Sequence, residues 1–405
     1  MAKPNKVRNR TKLRRRWVVA PYVLAFFFAA LALSASGGCG DGGGRPIQRD
    51  ACISCDAYEP QDAGAGSDAP THCDAQPETD AHLSGDAASG DGGGGDPVCG
   101  EPPADLTHYL TGAAQDSDAS PLGPKLLVAG GGPDVDAAFE GWLQSTGGGD
   151  VVVLRTSGSD GYNDYLFSDL GGVDSVETLL VTSRSLADAP YVACRVRTAE
   201  GVFMAGGDQA DYLANWENTQ LSHALQEAHD QGAALGGTSA GAAVMGEFIF
   251  SAENGTVYSD EALQDPYNQY MTFSQSFVSL SPLAGVLVDT HFYERDRMGR
   301  LVGFLAHLIQ ENWASEVLGL GVDEATALLI SSDGFAEVIG DGYVYVLESA
   351  GPPQVCTPAQ ALTYQNLQLT PLIEGDTLQL PAGTSSISDE PLSAETGTLV
   401  PANPY

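Results

Sequence analysis

Ala-Ala-Leu-Gly-Gly-Thr-Ser-Ala-Gly-Ala, residues 233–242, sets the architecture expected for this 405-residue chain. The apolar run Ala233–Gly236 is typical of a buried strand, and Ala240–Phe248 is typical of a helix. The turn between them, residues 237–241, fits Gly-x-Ser-x-Gly, in which a sharp turn holds a serine exposed above a sheet. An ordinary glycine-rich turn between strand and helix is the alternative. We therefore treat Ser239 as a candidate nucleophile. The residues expected around it must decide between a catalytic serine and an ordinary turn.

Short apolar runs alternate with helix-forming segments on both sides of this stretch. The strand candidates are Lys125–Ala129, Val151–Arg155, Thr178–Thr182, Gly201–Met204, Ala233–Gly236 and Gly285–Asp289. The helix candidates are Val135–Leu143, Ala210–Gln231, Ala240–Phe248 and Arg297–Asn312. Strands that are apolar on both faces and separated by helices predict an α/β fold with a mainly parallel, doubly covered sheet.

Three later runs predict an antiparallel extension of this fold. They are Thr326–Ile330, Phe335–Ile339 and Tyr343–Leu347. Asp-Gly pairs at 333–334 and 341–342 join them, and such pairs between apolar runs indicate hairpins. We expect a C-terminal antiparallel hairpin extension.

The charge of the chain is divided between a basic start and an acidic body. Eight of the 18 Lys and Arg residues lie in the first sixteen positions, which leaves 10 against 53 acidic residues, a formal charge of −43. A nucleic-acid partner is excluded because phosphate neutralisation needs clustered basic residues. An anionic membrane surface would repel the body as well. The acidic body suits a cationic substrate.

The first forty residues are typical of an export segment. The basic start leads into the apolar run Trp17–Ala35, and small residues then precede Cys39. This arrangement resembles a bacterial lipoprotein signal, in which Cys39 would be lipidated, although Ser36 stands where such signals usually carry Leu. An uncleaved signal anchor is the alternative, since the run is just long enough to span a bilayer. Either way we expect an exported protein, tethered to a membrane only through this anchor and facing the periplasm or the cell exterior.

Composition divides the chain into four expected segments. They are a lipoprotein-type signal segment (1–38), a Gly/Ala/Asp-rich disordered tether (39–121), a folded domain (122–349) and a weakly ordered tail or small β appendage (350–405). Without Cys39 six cysteines remain, an even number that suits disulfides in an oxidising compartment. A bridge from Cys194 to Cys356 is one open pairing. The Cys52-x-x-Cys55 pair has no partner motif, so a metal site is not expected.

A serine hydroxyl needs a general base, and a base needs a group that orients it. His291 follows the apolar run Gly285–Asp289, so we expect it at the carboxyl end of a strand, where open α/β sheets carry their sites. Asp323-Glu324 follows the run Leu318–Val322 in the same way. An acid there could accept the imidazole N–H. A solvated turn is the alternative for these two acids.

Four ordered stretches resemble cyanophycinase and its relative, peptidase E. They are Phe-Met-Ala-Gly-Gly-Asp-Gln (203–209), Gly-Thr-Ser-Ala-Gly-Ala (237–242), Asp-Thr-His-Phe-Tyr-Glu-Arg-Asp-Arg-Met-Gly-Arg (289–300) and Gly-Leu-Gly-Val-Asp-Glu (319–324). The resemblance extends over residues 125–347. It implies a class I glutaminase-like (flavodoxin-like) fold.

The resemblance also implies the chemistry and its residues. Ser239 would be the nucleophile, His291 the general base and acid, and Glu324 the group that orients His291. The substrate pocket would contain Gln209, Asp289, Thr290, Arg295, Arg297 and Arg300. The substrate would be cyanophycin, a poly-aspartate with arginine on each side-chain carboxyl, released as β-Asp-Arg dipeptides. Neither a metal nor another cofactor is required.

Two backbone groups are candidates for stabilising an oxyanion. The N–H of Ala240 begins the predicted helix, and Gly131 lies in a turn of three glycines, residues 130–132, after the first strand. A turn of purely structural glycines is the alternative for the latter. In the pocket, Asp289 could meet a substrate guanidinium, and the arginine forks could hold substrate carboxylates.

Three functions remain open. The first is an exported serine peptidase acting on cyanophycin, and the second a dipeptidase acting on aspartyl dipeptides, as peptidase E does. Thr290 leaves the dipeptidase function open, because cyanophycinases usually carry Gln at this position. The third is a surface-tethered, non-catalytic binding protein on the same scaffold. The sequence leaves a homodimer open.

Overall fold

A computed structural model describes residues 99–349 and 351–405. Within these ranges the strands are β1 (Thr107–Gly112), β2 (Leu126–Ala129), β3 (Asp150–Arg155), β4 (Ser175–Leu180), β5 (Gly201–Met204), β6 (Ala234–Thr238), β7 (Phe248–Phe250), β8 (Phe273–Gln275), β9 (Val286–Asp289), β10 (Leu318–Val322), β11 (Thr326–Ile330), β12 (Phe335–Gly340), β13 (Val344–Glu348), β14 (Tyr364–Leu372), β15 (Thr377–Gln379), β16 (Thr384–Ser385), β17 (Glu390–Ala394) and β18 (Leu399–Val400).

The helices of the same ranges lie mainly between the first ten strands. They are α1 (Asp136–Leu143), α2 (Gly161–Asp164), α3 (Arg184–Ala187), α4 (Pro190–Thr198), α5 (Gln209–Trp216), α6 (Gln220–Asp230), α7 (Ala240–Ala243), α8 (Ser259–Gln264) and α9 (Met298–Gln310). Two 3-10 helices, Gln144–Thr146 and Ser281–Leu283, and a π-helix, Tyr165–Leu170, complete the described helical segments. Strands and helices therefore alternate, as predicted.

The larger sheet has five parallel strands at its centre, in the order β4-β3-β5-β6-β2. Strand β1 pairs antiparallel with β4 at one side, and β11, β12, β15 and β16 follow β2 in antiparallel fashion at the other. Because parallel strands end at a common edge, β2, β5 and β6 deliver the residues that follow them to the same edge.

The smaller sheet has the order β18-β17-β14-β13-β10-β9-β7-β8. Strand β9 runs parallel to β10 and to β7, and the other neighbours are antiparallel. Strand β9 ends two residues before His291, and β10 ends two residues before Glu324. Both side chains thus emerge from one edge of this sheet.

The prediction of a mainly parallel sheet needs correction, since both sheets are mixed. In chain order the five parallel strands are arranged 3-2-4-5-1, whereas a flavodoxin-like sheet has the order 2-1-3-4-5. The flavodoxin-like part of the prediction is therefore not confirmed. The predicted α/β class and the predicted alternation of strands and helices are confirmed.

One of the two predicted hairpins forms. Strands β11 and β12 pair antiparallel across Asp333-Gly334. The pair Asp341-Gly342 instead carries the chain from the larger sheet to the smaller one, where β13 pairs with β10 and β14. An Asp-Gly pair permits a tight turn, but the partner of the following strand is chosen by long-range packing.

The core strands are buried on both faces, because alternate side chains enter different cores. In β2, Leu127 and Ala129 pack with α1, whereas Leu126 and Val128 face α4–α7 and the inner side of the smaller sheet. Helix α9 covers the other side of the smaller sheet. Burial on both faces explains why these strands are apolar without alternation.

The folded body begins before the predicted boundary at residue 122. Strand β1 lies inside the expected tether and pairs with β4 over its whole length. Its sequence, Thr-His-Tyr-Leu-Thr-Gly, has few large apolar residues because it is an edge strand. At the other end, residues 351–405 add β14–β18 to both sheets. A small β appendage therefore describes them better than a weakly ordered tail, although they do not form a separate unit.

A disulfide joins Cys99 to Cys194 in α4. Cys356 is buried and not bonded, so the open pairing of Cys194 with Cys356 is wrong. The sequence separation of the bridged cysteines is 95 residues. The remaining predicted features of the N-terminal region, including Cys39, the signal segment and most of the tether, lie outside the described residues. Among the described residues, no helix combines the length and apolar composition needed to cross a membrane.

We expect loss of this disulfide to destabilise the protein by about 3–5 kcal/mol, because closing a loop of this length restricts the unfolded chain. Urea unfolding of the protein with and without reductant measures the difference. The Cys99→Ala/Cys194→Ala double variant should already have the lower stability and should not respond to reductant, whereas Cys356→Ala should respond as the parent does. Equal stability of the oxidised and reduced parent would contradict the expectation.

Candidate functional site

Ser239, His291 and Glu324 form one hydrogen-bonded line. The Ser239 Oγ lies 2.7 Å from Nε2 of His291. The Nδ1 of the same ring lies 2.6 Å from Oε1 of Glu324. With the proton on Nδ1, the imidazole donates to the carboxylate and accepts from the serine hydroxyl. This arrangement can raise the nucleophilicity of an alcohol.

The backbone of Ser239 has the sharp turn that its motif predicts. Its φ is 53° and its ψ is −120°, a conformation that places the serine between β6 and α7. A Cβ on Gly237 would lie 2.4 Å from the carbonyl oxygen of Gly241, and one on Gly241 would lie 2.0 Å from that of Met204. Both glycines of the motif are thus required by close backbone contacts. Strain of this kind is typical of functional sites.

A single backbone segment holds the three loops of the site together. Successive carbonyl oxygens of residues 129–131 accept hydrogen bonds from the N–H groups of Ser239, His291 and Ala325, at 3.1, 2.8 and 3.0 Å. The loops come from β6, β9 and β10, in two different sheets. The turn after β2 therefore fixes the relative positions of the serine, the imidazole and the carboxylate. The sequence left two interpretations of this turn open, a candidate oxyanion site and a turn of purely structural glycines.

Two glycines of this turn lie directly against the site. Gly131 and Gly132 have φ values of 93° and 69°. A Cβ on Gly131 would lie 2.4 Å from Cε1 of His291, and one on Gly132 would lie 2.8 Å from Glu324. Ala240, the other predicted oxyanion donor, is the first residue of α7 and directly follows the serine. The structure thus brings both predicted backbone groups next to the hydrogen-bonded line.

The surroundings keep His291 neutral. Burial lowers the pKa of the imidazole below its usual 6.5, and the positive charges of Arg295 and Arg297 lower it further. The hydrogen bond to Glu324 opposes these effects without reversing them. A neutral imidazole at pH 7 is the form that can accept a proton from the serine.

We expect an NMR titration to place the pKa of His291 below 6.5, so that the ring stays neutral at mildly acidic pH. Removing a nearby positive charge with Arg295→Gln should raise the pKa, because the protonated ring is then repelled less. Arg197→Gln is the matched control, since this exposed arginine pairs with Glu227 elsewhere on the surface. A pKa that does not change in Arg295→Gln would contradict the assignment.

Asp289 and Arg300 form an ion pair with each other. The Arg300 Nε and Nη2 donate to the two carboxylate oxygens of Asp289, at 2.8 and 2.5 Å. Arg300 is 3% exposed and lies over the rings of Phe250 and Phe304, at 5.2 and 5.6 Å. The prediction that Asp289 meets a substrate guanidinium is therefore replaced by a buried internal ion pair. Spacing alone did not reveal which charges meet inside the fold.

Arg297 takes part in the same ion pair from its edge. Its Nη1 donates to the carbonyl oxygen of Thr290 at 2.6 Å and lies 3.4 Å from Asp289. Burial would raise the pKa of Asp289, but the charges of Arg300 and Arg297 outweigh it, so the pKa lies below its usual value. The arginines at 297 and 300 thus fix the segment that carries His291, instead of lining an open pocket as predicted.

The other predicted pocket residues differ in their exposure. Thr290 is buried beside His291, and its N–H donates to Asp289. Arg295 is exposed. Gln209, at the start of α5, is partly buried and its side chain donates to the carbonyl oxygen of Phe250 at 3.4 Å. Of the predicted pocket arginines, only Arg295 is exposed to solvent.

Asp323 has a role that sequence reasoning missed. Its two oxygens accept hydrogen bonds from the N–H groups of Tyr293 and Tyr343, each at 2.9 Å. Burial raises its pKa to about 6, although these hydrogen bonds oppose the shift. Asp323 therefore fixes the segment after His291 to the end of β10. The sequence analysis considered Asp323-Glu324 only as acids that could accept the imidazole N–H or as a solvated turn.

No group of three or more His, Cys, Asp or Glu side chains placed to hold a metal ion occurs among residues 99–349 and 351–405. The site consists of a serine, an imidazole and a carboxylate on an α/β scaffold. Arrangements of this type define hydrolases that act through a serine nucleophile.

Comparison with known proteins finds similarity to one family of peptidases. Residues 163–338 match the profile of peptidase family S51. The chain is 33% identical over 228 residues to the cyanophycinase of Synechococcus elongatus, a match that covers 54% of this chain and 64% of that protein. It is 29% identical over 220 residues to the cyanophycinase of Trichormus variabilis, covering 53% of this chain and 68% of that protein. These matches confirm the family resemblance that the four motifs predict.

The match with the Synechococcus protein spans less than two thirds of the length of that protein. A peptidase from an acI-B1 Actinobacterium aligns with 20% identity and a TM-score of 0.43, over 65% of this chain and 99% of that one.

Proposed function

We propose that this chain is an exported serine-type peptidase that hydrolyses cyanophycin to β-Asp-Arg dipeptides. The observation that carries the proposal is the hydrogen-bonded line of Ser239, His291 and Glu324. It lies in a chain whose curated relatives are cyanophycinases. The three residues come from distant parts of the sequence, so their convergence supports a common role.

The products define which bond must break. A β-Asp-Arg dipeptide keeps the amide between the aspartate side chain and arginine, so the bond that breaks is the main-chain amide between two units. Nε2 of His291 takes the proton of Ser239 as Oγ attacks this carbonyl carbon. The protonated imidazole then donates the proton to the leaving amine, and water releases the acyl group in the same way. Glu324 holds the imidazole in the required tautomer throughout.

Backbone N–H groups are proposed to stabilise the negative charge that develops on the carbonyl oxygen. The N–H of Ala240 directly follows the nucleophile. The turn at Gly131 lies against the imidazole ring. Donors that are held by the fold cost no reorganisation during the reaction, which makes such stabilisation effective.

Arg295 is the proposed contact for the substrate carboxylate. Each cyanophycin unit presents one free arginine carboxylate and one guanidinium. Arg295 is exposed, and its charge acts on His291. A guanidinium can hold a carboxylate through two parallel hydrogen bonds. Gln209, at the start of α5, is a second proposed contact.

Export and tethering are part of the proposal. The apolar run after the basic start, together with Cys39, supports a lipoprotein signal. The disulfide between Cys99 and Cys194 independently supports an oxidising compartment, because such bonds are rare in reducing ones. The acidic body would then face the periplasm or the exterior.

Product analysis tests the substrate. The protein and its Ser239→Ala variant are incubated with cyanophycin and, separately, with N-terminal aspartyl dipeptides, and the products are identified by mass spectrometry. Release of β-Asp-Arg by the parent alone supports the proposal. Hydrolysis of aspartyl dipeptides alone would replace it with a peptidase E-like activity, which Thr290 keeps open. No hydrolysis of either substrate would favour the non-catalytic binding protein.

A further inference from the structure

A group of four tyrosines, two of them exposed, borders the site. We call Tyr293, Tyr343, Tyr345 and Tyr405 the tyrosine surface. Tyr293 is 58% exposed and Tyr343 is 43% exposed, and both are among the most exposed large side chains of the described residues. Aromatic side chains of this size are usually exposed singly, whereas contiguous exposed patches mark binding sites.

The four rings are in continuous contact. Ring centroids lie 5.3 Å apart for Tyr293 and Tyr405, 5.6 Å for Tyr405 and Tyr345, and 5.6 Å for Tyr345 and Tyr343. The inner rings are fixed, because Tyr345 is almost fully buried. The Tyr405 hydroxyl accepts from the N–H of Met298 at 2.8 Å. The exposed rings therefore stand on a rigid base.

Asp323 ties both exposed tyrosines to the site. Its carboxylate accepts the backbone N–H groups of Tyr293 and Tyr343. Tyr293 follows His291 by two residues, and Asp323 is the neighbour of Glu324. The tyrosine surface thus begins at the sheet edge that carries the imidazole and the carboxylate.

Acidic residues lie close in sequence to the exposed tyrosines. Glu294, Asp296 and Asp341 are all exposed and adjoin the tyrosines in sequence. The Oδ1 of Asp296 also accepts from the Tyr405 hydroxyl at 3.1 Å. Aromatic faces together with carboxylates attract planar cations, above all guanidinium groups. The positive charge nearest to these rings in sequence is Arg295, which the proposed function assigns to a substrate carboxylate.

We propose that the tyrosine surface binds guanidinium groups of the polymer at units next to the one being cleaved. The inference rests on the proposed function, because cyanophycin presents a guanidinium on every unit. While one unit lies at Ser239, the arginines of its neighbours can lie on Tyr293 and Tyr343. A polymer would therefore bind more tightly than a short piece that reaches only the serine.

A binding experiment in the Ser239→Ala background tests this inference independently of turnover. Soluble cyanophycin is titrated into this variant, and into versions that also carry Tyr293→Ala, Tyr343→Ala or both. We expect each alanine to weaken binding by roughly twofold to tenfold, and the pair by more. Tyr343→Phe should retain part of the affinity, because the aromatic face remains.

Phe335→Ala is the matched control. Phe335 is 45% exposed, about as much as Tyr343. It lies where β12 starts beside the end of β11, at the strand ends of the larger sheet that are opposite to those next to Ser239. This variant should bind the polymer as the background does. Free arginine at millimolar concentration should compete with the polymer.

Unchanged binding in the double tyrosine variant would overturn the inference, as would an equal loss in the Phe335 variant. A change in oligomeric state with no change in polymer affinity, seen by size-exclusion chromatography, would also overturn it in favour of contact with a second copy of the chain. Tyrosine-dependent binding without hydrolysis by the parent would support the surface and refute only the proposed function.

Discussion

Replacing Ser239 with alanine is expected to reduce kcat on cyanophycin by at least about 10⁴-fold, while the fold is retained. The hydroxyl lies at the end of the hydrogen-bonded line, where His291 can accept its proton, and it is the proposed site of the acyl intermediate. Removing it leaves only the binding and oxyanion groups, whose contribution is small in comparison. Release of β-Asp-Arg measured by mass spectrometry gives the rate.

His291→Ala should lose activity to a similar extent, because residues that act as a unit do not contribute additively. His223→Ala is the matched control, since this histidine is exposed on α6, away from the line. Circular dichroism and urea unfolding verify that each variant is folded. Substantial turnover by a folded Ser239→Ala variant would rule out the proposed nucleophile.

Replacing Asp289 with alanine is expected to lower the free energy of unfolding by about 3–5 kcal/mol, because Arg300 would remain buried without its partner. Glu227→Ala, which breaks the exposed pair with Arg197, should cost at most about 1 kcal/mol. Urea unfolding at pH 7 compares the two. Replacing Asp289 and Arg300 together with apolar residues should cost less than the single change.

The effect of Asp289→Ala should depend on pH with a defined sign. Because the pKa of Asp289 is lowered in the folded protein, its contribution is complete above the unfolded pKa of about 3.9 and is lost as the pH falls through the folded pKa. The difference between parent and variant should therefore stay constant from pH 7 to about pH 5 and shrink in stronger acid. A folded variant of normal stability with a raised KM would instead indicate that Asp289 contacts the substrate.

Local patterns predicted the central strands well. Gly201–Met204 and Thr326–Ile330 agree with β5 and β11 in full. The single helix expected over Ala210–Gln231 is two helices, because Asn218 has a φ of 56° and Thr219 begins a new capping box. The helix expected from the apolar spacing did not include this break.

Long-range pairing was the part that sequence could not supply. The strand after Asp341-Gly342 pairs with β10 and not with the strand before the turn. Cys99 meets Cys194 across a separation of 95 residues. Both partners are chosen by how layers pack, which a local pattern does not encode.

In the candidate site, too, the positions of residues at strand ends were predicted, whereas the pairing of side chains was not. Ser239, His291 and Glu324 each follow an apolar run, and the rule that strand ends share an edge predicted their proximity. Asp289 and Arg300 were expected to face a ligand, but they pair with each other. Their mutual ion pair depends on side-chain direction inside the fold, and charge type alone leaves that open.

Covalent labelling measures the reactivity of the serine without assuming a substrate. The protein is treated with a fluorophosphonate at pH 7, and the modified peptide is identified by mass spectrometry. We expect one adduct on Ser239, much slower labelling in the His291→Ala variant and none in the Ser239→Ala variant. Absence of an adduct in the folded parent, or a label on another residue, would show that the hydrogen-bonded line does not activate this hydroxyl.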